Sequence, residues 1–489
     1  MASSRKPASS PDSTARLTDK VAQALQAGAA FVVLADGMPK PGAIAVALSG
    51  GRDSVALLHA TRAAVAASAM PVPVVALHVH HGLQPEADAW DDFCAGLCRD
   101  WGVDYHCTRA TVAPRPGEGV EAAARRARYA ALASLCRDTA AELLLFAHHQ
   151  DDQVETVLLR LFRGSGVHGL AGMPPMRRLG PDGPTLLLRP WLEIGRAEID
   201  AYCEAHGLRW IDDPSNDDTR FARNALRRQL PALDDAFPAL RANVAQAAAH
   251  LSEAARLLDA QAGRRLATLV RPGRDADTHA ELDVAGLRAL APAEADAVLR
   301  LWLRDLGAQP PSTARLAAMR GQLIEGDGGE PAIRHGELVL RRFRGHILAC
   351  RPPVNGEPVT VALDWQGQAR IAVPAWHGEL RFFRDDASGV PESVLRQPLQ
   401  LAPRRGGERI VLRPGGPARA LKQAYQEAGV PAWRRAALPL LWAGGQLVMA
   451  AGLGMHRRWP QAPDAPRWRV EWCDERRACT PPEHGSEGR

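Results

Sequence analysis

Short apolar runs alternate with longer amphipathic ones over residues 31–147. Residues 43–48 (AIAVAL) are apolar throughout and bounded by Pro41-Gly42 and Gly50-Gly51, so they read as a strand buried on both faces. Residues 72–79 and 142–147 have the same character, and 103–110 form a further strand. Between them, the alanine-rich run after Val55 and residues 86–101 and 121–137 favour helices. Alternating strands and helices predict an α/β fold with a doubly wound parallel sheet. Residues 176–185 read as a hairpin turning at Pro181-Asp182-Gly183-Pro184, followed by a strand (186–189) and a helix (196–206). Beyond Pro231 the rhythm becomes helical. One long helix is expected over 232–258 and further helix over 284–307, closed by a strand pair at 338–342 and 346–350. After Pro352-Pro353 short strands return at 359–363, 369–373, 380–383, 438–442 and 447–451, with a helix at 424–428. The expected organisation is a disordered tail (1–20), an α/β catalytic domain (21–232), a mainly helical domain (233–352), a small α+β C-terminal domain (353–476) and a second tail (477–489).

At 489 residues the chain is long enough for several cores. Hydrophobic and charged shares of 46% and 24% match a soluble globular protein. No apolar run approaches the ~20 residues a membrane span needs. Residues 1–20 are rich in Ser, Pro and Ala and lack the apolar centre of a signal peptide. A cytoplasmic protein is therefore expected. The eight cysteines are scattered and form no CxxC, which favours reduced thiols over a zinc or iron–sulfur centre. Net charge is only +5, and Lys6, Lys20, Lys40 and Lys422 are the only lysines. Arginine abundance then reflects coding bias and is not by itself a nucleic-acid signal.

The chemistry concentrates in two places. Ser49-Gly50-Gly51-Arg52-Asp53-Ser54 joins the first buried strand to a helix. Such a turn presents free backbone N–H groups at the positive end of a helix dipole, a natural phosphate site. Ser49 and Ser54 add hydroxyls, and Asp53 is placed to hold Mg²⁺ against phosphates. The loop has neither the GxGxxG nor the GK[ST] pattern. The bland alternative is a turn that merely starts a helix. His148-His149-Gln150-Asp151-Asp152-Gln153-Val154-Glu155 follows the strand at 142–147. Its residue types suit metal binding or acid–base work. An N-terminal helix cap explains one aspartate but not the whole cluster. If the helix is regular from the start, His148, Asp152 and Glu155 share a face. If it begins near Asp151, His149 is better placed.

Lesser signals surround these. Residues 163–173 are glycine-rich and read as a flexible loop beside the site. Glu121, Arg125 and Arg128 fall at i, i+4, i+7, and Arg220, Arg223 and Arg227 at i, i+3, i+7. These are stripes suited to phosphates or to surface ion pairs. Arg404, Arg405, Arg409, Arg413, Arg419 and Lys422 lie near Tyr425 and Trp433. That mixture suits RNA backbone and base stacking, or a solvated surface.

The form SGGxDS resembles the pyrophosphate loop (PP-loop) of the N-type ATP pyrophosphatases. Residues 78–83, 121–129, 148–156, 163–166, 213–216, 223–227 and 429–433 extend the resemblance to the bacterial tRNA(Ile)-lysidine synthetases, over about 43–228 and 401–452. The resemblance implies ATP and Mg²⁺ as cofactors, and tRNA(Ile) with a CAU anticodon and free L-lysine as substrates. The wobble cytidine is adenylated through its C2 oxygen. The lysine ε-amine then displaces AMP, giving lysidine and changing decoding from AUG to AUA. ATP phosphates would lie on Ser49, Gly50, Gly51, Arg52, Asp53 and Ser54, with adenine near Val79. Asp53 would be the metal ligand. Asp152, Glu155 and a neighbouring histidine (His149 in the expected set) would hold and deprotonate the amine. Arg125, Arg128, Arg223 and Arg227 would bind phosphate or the anticodon stem. A homodimer is compatible with the family. Two rivals stand beside this reading: another PP-loop tRNA-modifying enzyme of thiolase type, and a non-catalytic RNA-binding protein.

Overall fold

The computed structural model describes residues 11–36, 42–68, 72–80, 82, 86–114, 119–180, 183–212, 222–273, 278–326, 329–350, 359–385, 389–459 and 466–474. Two compact units meet in sequence at Ala262/Gly263.

The first unit opens with α1 (Pro11–Asp36) and β1 (Ala43–Ala47), followed by α2 (Arg52–Ala67), β2 (Val74–His80), α3 (Ala87–Trp101), β3 (Asp104–Arg109), α4 (Val120–Asp138) and β4 (Ala141–Leu145). Then come α5 (Gln150–Phe162), α6 (Val167–Leu170), β5 (Met176–Arg178), β6 (Leu186–Leu188), α7 (Arg196–Ala205), α8 (Ala222–Ala236) and α9 (Leu240–Leu269), the last continuing past the boundary at Ala262/Gly263. The strands form one sheet in the order β3-β2-β1-β4-β6-β5. All neighbouring pairs are parallel except β5 with β6. The continuous apolar runs are explained by burial on both sides. Ile44, Val46, Leu143 and Leu145 pack with Leu57 and Leu58 of α2, while Ala45, Leu77 and Leu144 pack with Leu132 and Leu135 of α4. Strand order reverses between β1 and β4. In open α/β sheets that reversal makes a crevice beyond the carboxyl ends of the strands, where ligands bind. The two motifs follow β1 and β4, so they flank it.

Two expectations need correction. Residues 11–20 are not a disordered tail but the start of α1; residues 1–10 lie outside those described. Leu17, Val21 and Leu25 repeat at helical spacing and are buried in the sheet's core. Arg16 and Lys20 pair with Glu198 and Glu193 at 2.8 and 2.7 Å. The single helix expected over 232–258 is two, α8 and α9, broken around Phe237-Pro238, because the residue before a proline is driven out of helical conformation.

In the second unit the expected strand pair belongs to a five-stranded antiparallel sheet: β7 (Val270–Pro272), β8 (Thr278–Asp283), β9 (Ala332–His335), β10 (Leu338–Phe343) and β11 (His346–Cys350), ordered β7-β8-β11-β10-β9. The strand β8 escaped notice because it carries Glu281, a charged residue that is almost fully buried. Helices of this region include Pro292–Asp305, which buries Val298, Leu299, Trp302 and Leu303. Further along, a five-stranded and a four-stranded antiparallel sheet share a core of Trp365, Leu380, Leu401, Leu441, Val448 and Val470. Among the described residues no helix is long and apolar enough to cross a membrane.

Candidate active site

A cavity of about 850 Å³ opens at the carboxyl ends of β1, β2 and β4. Its lining includes Ser49, Gly51, Arg52, Asp53, Ser54 and Val79 from one side, and His149, Asp152, Glu155, Arg128 and Arg227 from the other.

The loop after β1 is held by its own hydrogen bonds. The Ser54 hydroxyl donates to the Gly51 carbonyl at 2.9 Å and accepts from the Ser49 N–H at 3.1 Å. Gly50 has φ +84°, and a Cβ there would come within 3.2 Å of both Cys94 Sγ and Ile211 Cδ1. Only glycine fits both the conformation and the space. Gly51 is the N-cap of α2, so the free N–H groups of the first turn open on the cavity.

The loop after β4 does two jobs at once. His149 is the N-cap of α5, and its Nδ1 accepts from the Asp151 N–H at 3.3 Å. Asp152 Oδ2 accepts in return from the His149 N–H at 3.0 Å. The capping alternative is therefore correct for these two residues, but it also sets the chemistry. With Nδ1 accepting, the proton sits on Nε2. Nε2 lies 3.6 Å from Asp53 Oδ2 and 3.7 Å from Asp152 Oδ2. Burial disfavours the His149 cation, but Asp53, Asp152 and Asp151 outweigh it and raise its pKa. Burial likewise opposes the Asp53 carboxylate, and His149 and Arg52 reverse that and hold it below the usual value. His148 turns elsewhere. It stacks on Phe146 and accepts from Arg189 Nε at 3.2 Å. Burial, then Arg189 and Arg128, keep it neutral. Of the two candidates, His149 joins the acidic group.

Glu155 is 1% exposed, which an isolated carboxylate does not tolerate. Arg223 Nε reaches Oε2 at 2.5 Å, Arg227 Nε reaches Oε1 at 2.7 Å, and Arg223 Nη2 bonds Asp152 Oδ1 at 2.8 Å. Leu226 and Leu230 of α8 pack on Val154 of α5, which delivers both arginines to the carboxylates. Arg223 and Arg227 are thus ion-pair partners of the acidic cluster, and Arg227 also lines the cavity. Arg128 lines the cavity with a buried Nε that has no hydrogen-bond partner. Arg125 is exposed and lies over the Tyr129 ring. The side chain of Glu121, and Arg220, lie outside the described residues.

Two participants, Arg189 and Arg241, had no linear signal. Arg189 is buried and bonds the Pro174 carbonyl at 2.7 Å as well as His148. Arg241 of α9 pairs with Asp151 at 2.6 Å. Arg52 pairs with Asp200 of α7, and its Nε lies 3.5 Å from Asp53 Oδ1. The glycine-rich segment is also more ordered than expected. Val167–Leu170 forms one helical turn, and Arg160 Nη1 donates to the Gly169 and Gly172 carbonyls at 2.8 Å each. The Gln153 amide bonds both the N–H and the carbonyl of Met173.

The donor set fits a hard divalent cation. Asp53 carries a buried Oδ1 with no hydrogen-bond partner and faces the same cavity as the phosphate-type loop.

A family model described as a PP-loop domain matches residues 17–233, in line with the sheet and the loop that positions Asp53. The molecule is thus built on a PP-loop ATP-using domain. Models described as the TilS substrate binding domain and the TilS substrate C-terminal domain match residues 282–348 and 399–472. The tRNA(Ile)-lysidine synthase of Ralstonia nicotianae is 49% identical over 465 residues, covering 93% of this chain and 97% of that protein. Those of Burkholderia pseudomallei and Alkalilimnicola ehrlichii are 39% and 42% identical, covering 91% and 86% of this chain and 95% and 91% of theirs. The chain belongs to the tRNA(Ile)-lysidine synthase family.

Proposed function

We propose that the chain joins free L-lysine to C2 of the wobble cytidine of a CAU-anticodon tRNA(Ile), using ATP, in the cytoplasm. The observation that carries this reading is the convergence of both motifs on one cavity: Asp53 of the first and His149 of the second are within 3.6 Å. Family membership supports the substrate assignment.

The α2 N-terminus and the Ser49 and Ser54 hydroxyls bind the pyrophosphate portion of ATP. Val79, at the end of β2, offers an apolar surface to the base. Asp53 would hold Mg²⁺, which neutralises phosphate charge when bound. The C2 oxygen of cytidine attacks the α-phosphate, and pyrophosphate leaves. Arg128, with its unpartnered Nε, offers charge to the phosphoryl oxygens. Asp152 and Glu155 attract the lysine ammonium and take up the proton that its nitrogen must lose. The amine nitrogen then attacks C2, the C2–O bond breaks, and AMP leaves with the oxygen. The His149 Nε2–H lies between Asp53 and Asp152 and offsets their mutual repulsion.

The test is nucleoside mass spectrometry of a CAU-anticodon tRNA(Ile) transcript incubated with the protein, ATP, Mg²⁺ and lysine. The expected product is a wobble nucleoside heavier than cytidine by lysine less one water. A wobble nucleoside that gains sulfur, or no change with this tRNA, overturns the reading.

A further inference from the structure

Towards the outer edge of the sheet the fold assembles three side chains from separate elements, one of them, His78, also on the wall of the cavity. His78 of β2, Asp91 of α3 and Cys107 of β3 each present one donor atom, and the three atoms lie within 4.8 Å of one another. His78 and Cys107 are register partners on adjacent parallel strands, so they share a face of the sheet. The helix α3 connects those strands and carries Asp91 above them.

We propose that His78, Asp91 and Cys107 form a binding site for a borderline divalent cation, best matched by zinc, that ties the edge strand to β2 and α3.

The donor set is the first argument. One imidazole nitrogen, one carboxylate oxygen and one sulfur suit zinc, which takes all three. Magnesium and calcium want oxygen alone, so this site differs in kind from the one at Asp53. The supporting contacts are the second. The His78 Nδ1 is 2.8 Å from the Leu48 carbonyl, so Nδ1 carries the proton and Nε2 keeps the lone pair for a metal. A ligating histidine is usually oriented in this way, by a backbone carbonyl on its other nitrogen. Asp91 accepts from the Tyr105 hydroxyl, which fixes its carboxylate. The third argument is access. Asp91 and Cys107 are only partly covered, so a cation can enter and water can take the fourth position.

Without a metal a cysteine thiol is protonated at neutral pH, whereas the metal ligand is the thiolate. Binding therefore forms a metal–sulfur bond and releases the thiol proton to solvent. His78 needs no such step, since its Nδ1 bonds the Leu48 carbonyl and its Nε2 already has a lone pair. The scattered cysteines and missing CxxC made a zinc site unexpected from the sequence. The three ligands come from separate elements, and only the fold brings them together.

The test uses Co²⁺ as a spectroscopic stand-in for zinc, titrated into the full-length protein without nucleotide. The expected result is one Co²⁺ per chain with a near-ultraviolet thiolate charge-transfer band, displaced by Zn²⁺ and accompanied by proton release. Cys107→Ser should abolish the band while circular dichroism stays unchanged. Tyr105→Phe, which frees the Asp91 carboxylate, should weaken binding roughly 10-fold or more. No thiolate band in the unsubstituted protein, or a band that survives Cys107→Ser, overturns the proposal.

Discussion

His149 Nε2 lies 3.6 Å from Asp53 Oδ2, so the loops after β1 and β4 meet face to face across the reversal in strand order. Under the proposed function Asp53 is the residue whose loss should be most damaging to the first step. Asp53→Asn keeps the shape but removes the charge that holds a cation. Pyrophosphate release should fall about 100-fold or more, a typical loss for one electrostatic group at a reacting centre. Affinity for tRNA, measured by filter binding, should be unchanged. Normal turnover in this variant would sink the role given to Asp53.

Arg52 makes an opposite prediction. It sits 3.5 Å from Asp53 Oδ1 and competes electrostatically with any cation bound there. Arg52→Leu should lower the Mg²⁺ concentration needed for half-maximal pyrophosphate release by about 3-fold, roughly the effect of removing one like charge near the protein surface. A raised Mg²⁺ requirement would show that Arg52 acts on the nucleotide instead.

Glu155 and its two arginines form a buried ionic group. Removing one side leaves uncompensated charge, which typically costs about 3–5 kcal/mol. Glu155→Ala should therefore destabilise the protein strongly in urea unfolding. Arg227→Ala should cost less, because Arg223 still bonds both Glu155 and Asp152. The double variant Arg223→Ala/Arg227→Ala should be non-additive by about 1–3 kcal/mol. Strict additivity would mean that the two arginines act independently.

Away from the cavity, His59 of α2 bonds Tyr202 at 2.8 Å and lies near His206 and Trp101. Burial, then His206 and Arg62, lower its pKa from 6.5 to about 4. The folded state thus resists a proton that the unfolded state accepts, and stability rises with pH in that window. The contribution is complete above pH 6.5, is lost as pH falls from 6.5 to about 4, and changes little below that. Thermal melts should show this loss, and His59→Gln should flatten the curve over the same range. An unchanged pH profile in His59→Gln would contradict the assignment.

The parts of the fold legible in the sequence were those where burial is uniform. β1, β2 and β4 are enclosed on both faces, so their positions are apolar except for His78, His80 and Glu142. The choice between His148 and His149 was not legible, because it turns on α5 starting at Gln150 with His149 as its cap. The stripe of Arg223 and Arg227 was visible, but their bonding to Asp152 and Glu155 depends on Leu226 and Leu230 packing α8 against α5. The start of α1 was hidden by a Ser- and Pro-rich composition, although Leu17, Val21 and Leu25 carry helical spacing. The glycine-rich segment looked mobile because its anchors, Arg160 and Gln153, lie on the preceding helix.

The central claim is that one cavity both adenylates the cytidine and receives lysine. It is tested most directly by following AMP, pyrophosphate and labelled lysine together, in single turnover with a CAU-anticodon tRNA(Ile). The account predicts one AMP and one pyrophosphate for each lysine attached, with no attachment when ATP is omitted. AMP formation at the same rate with no lysine entering the RNA would contradict it.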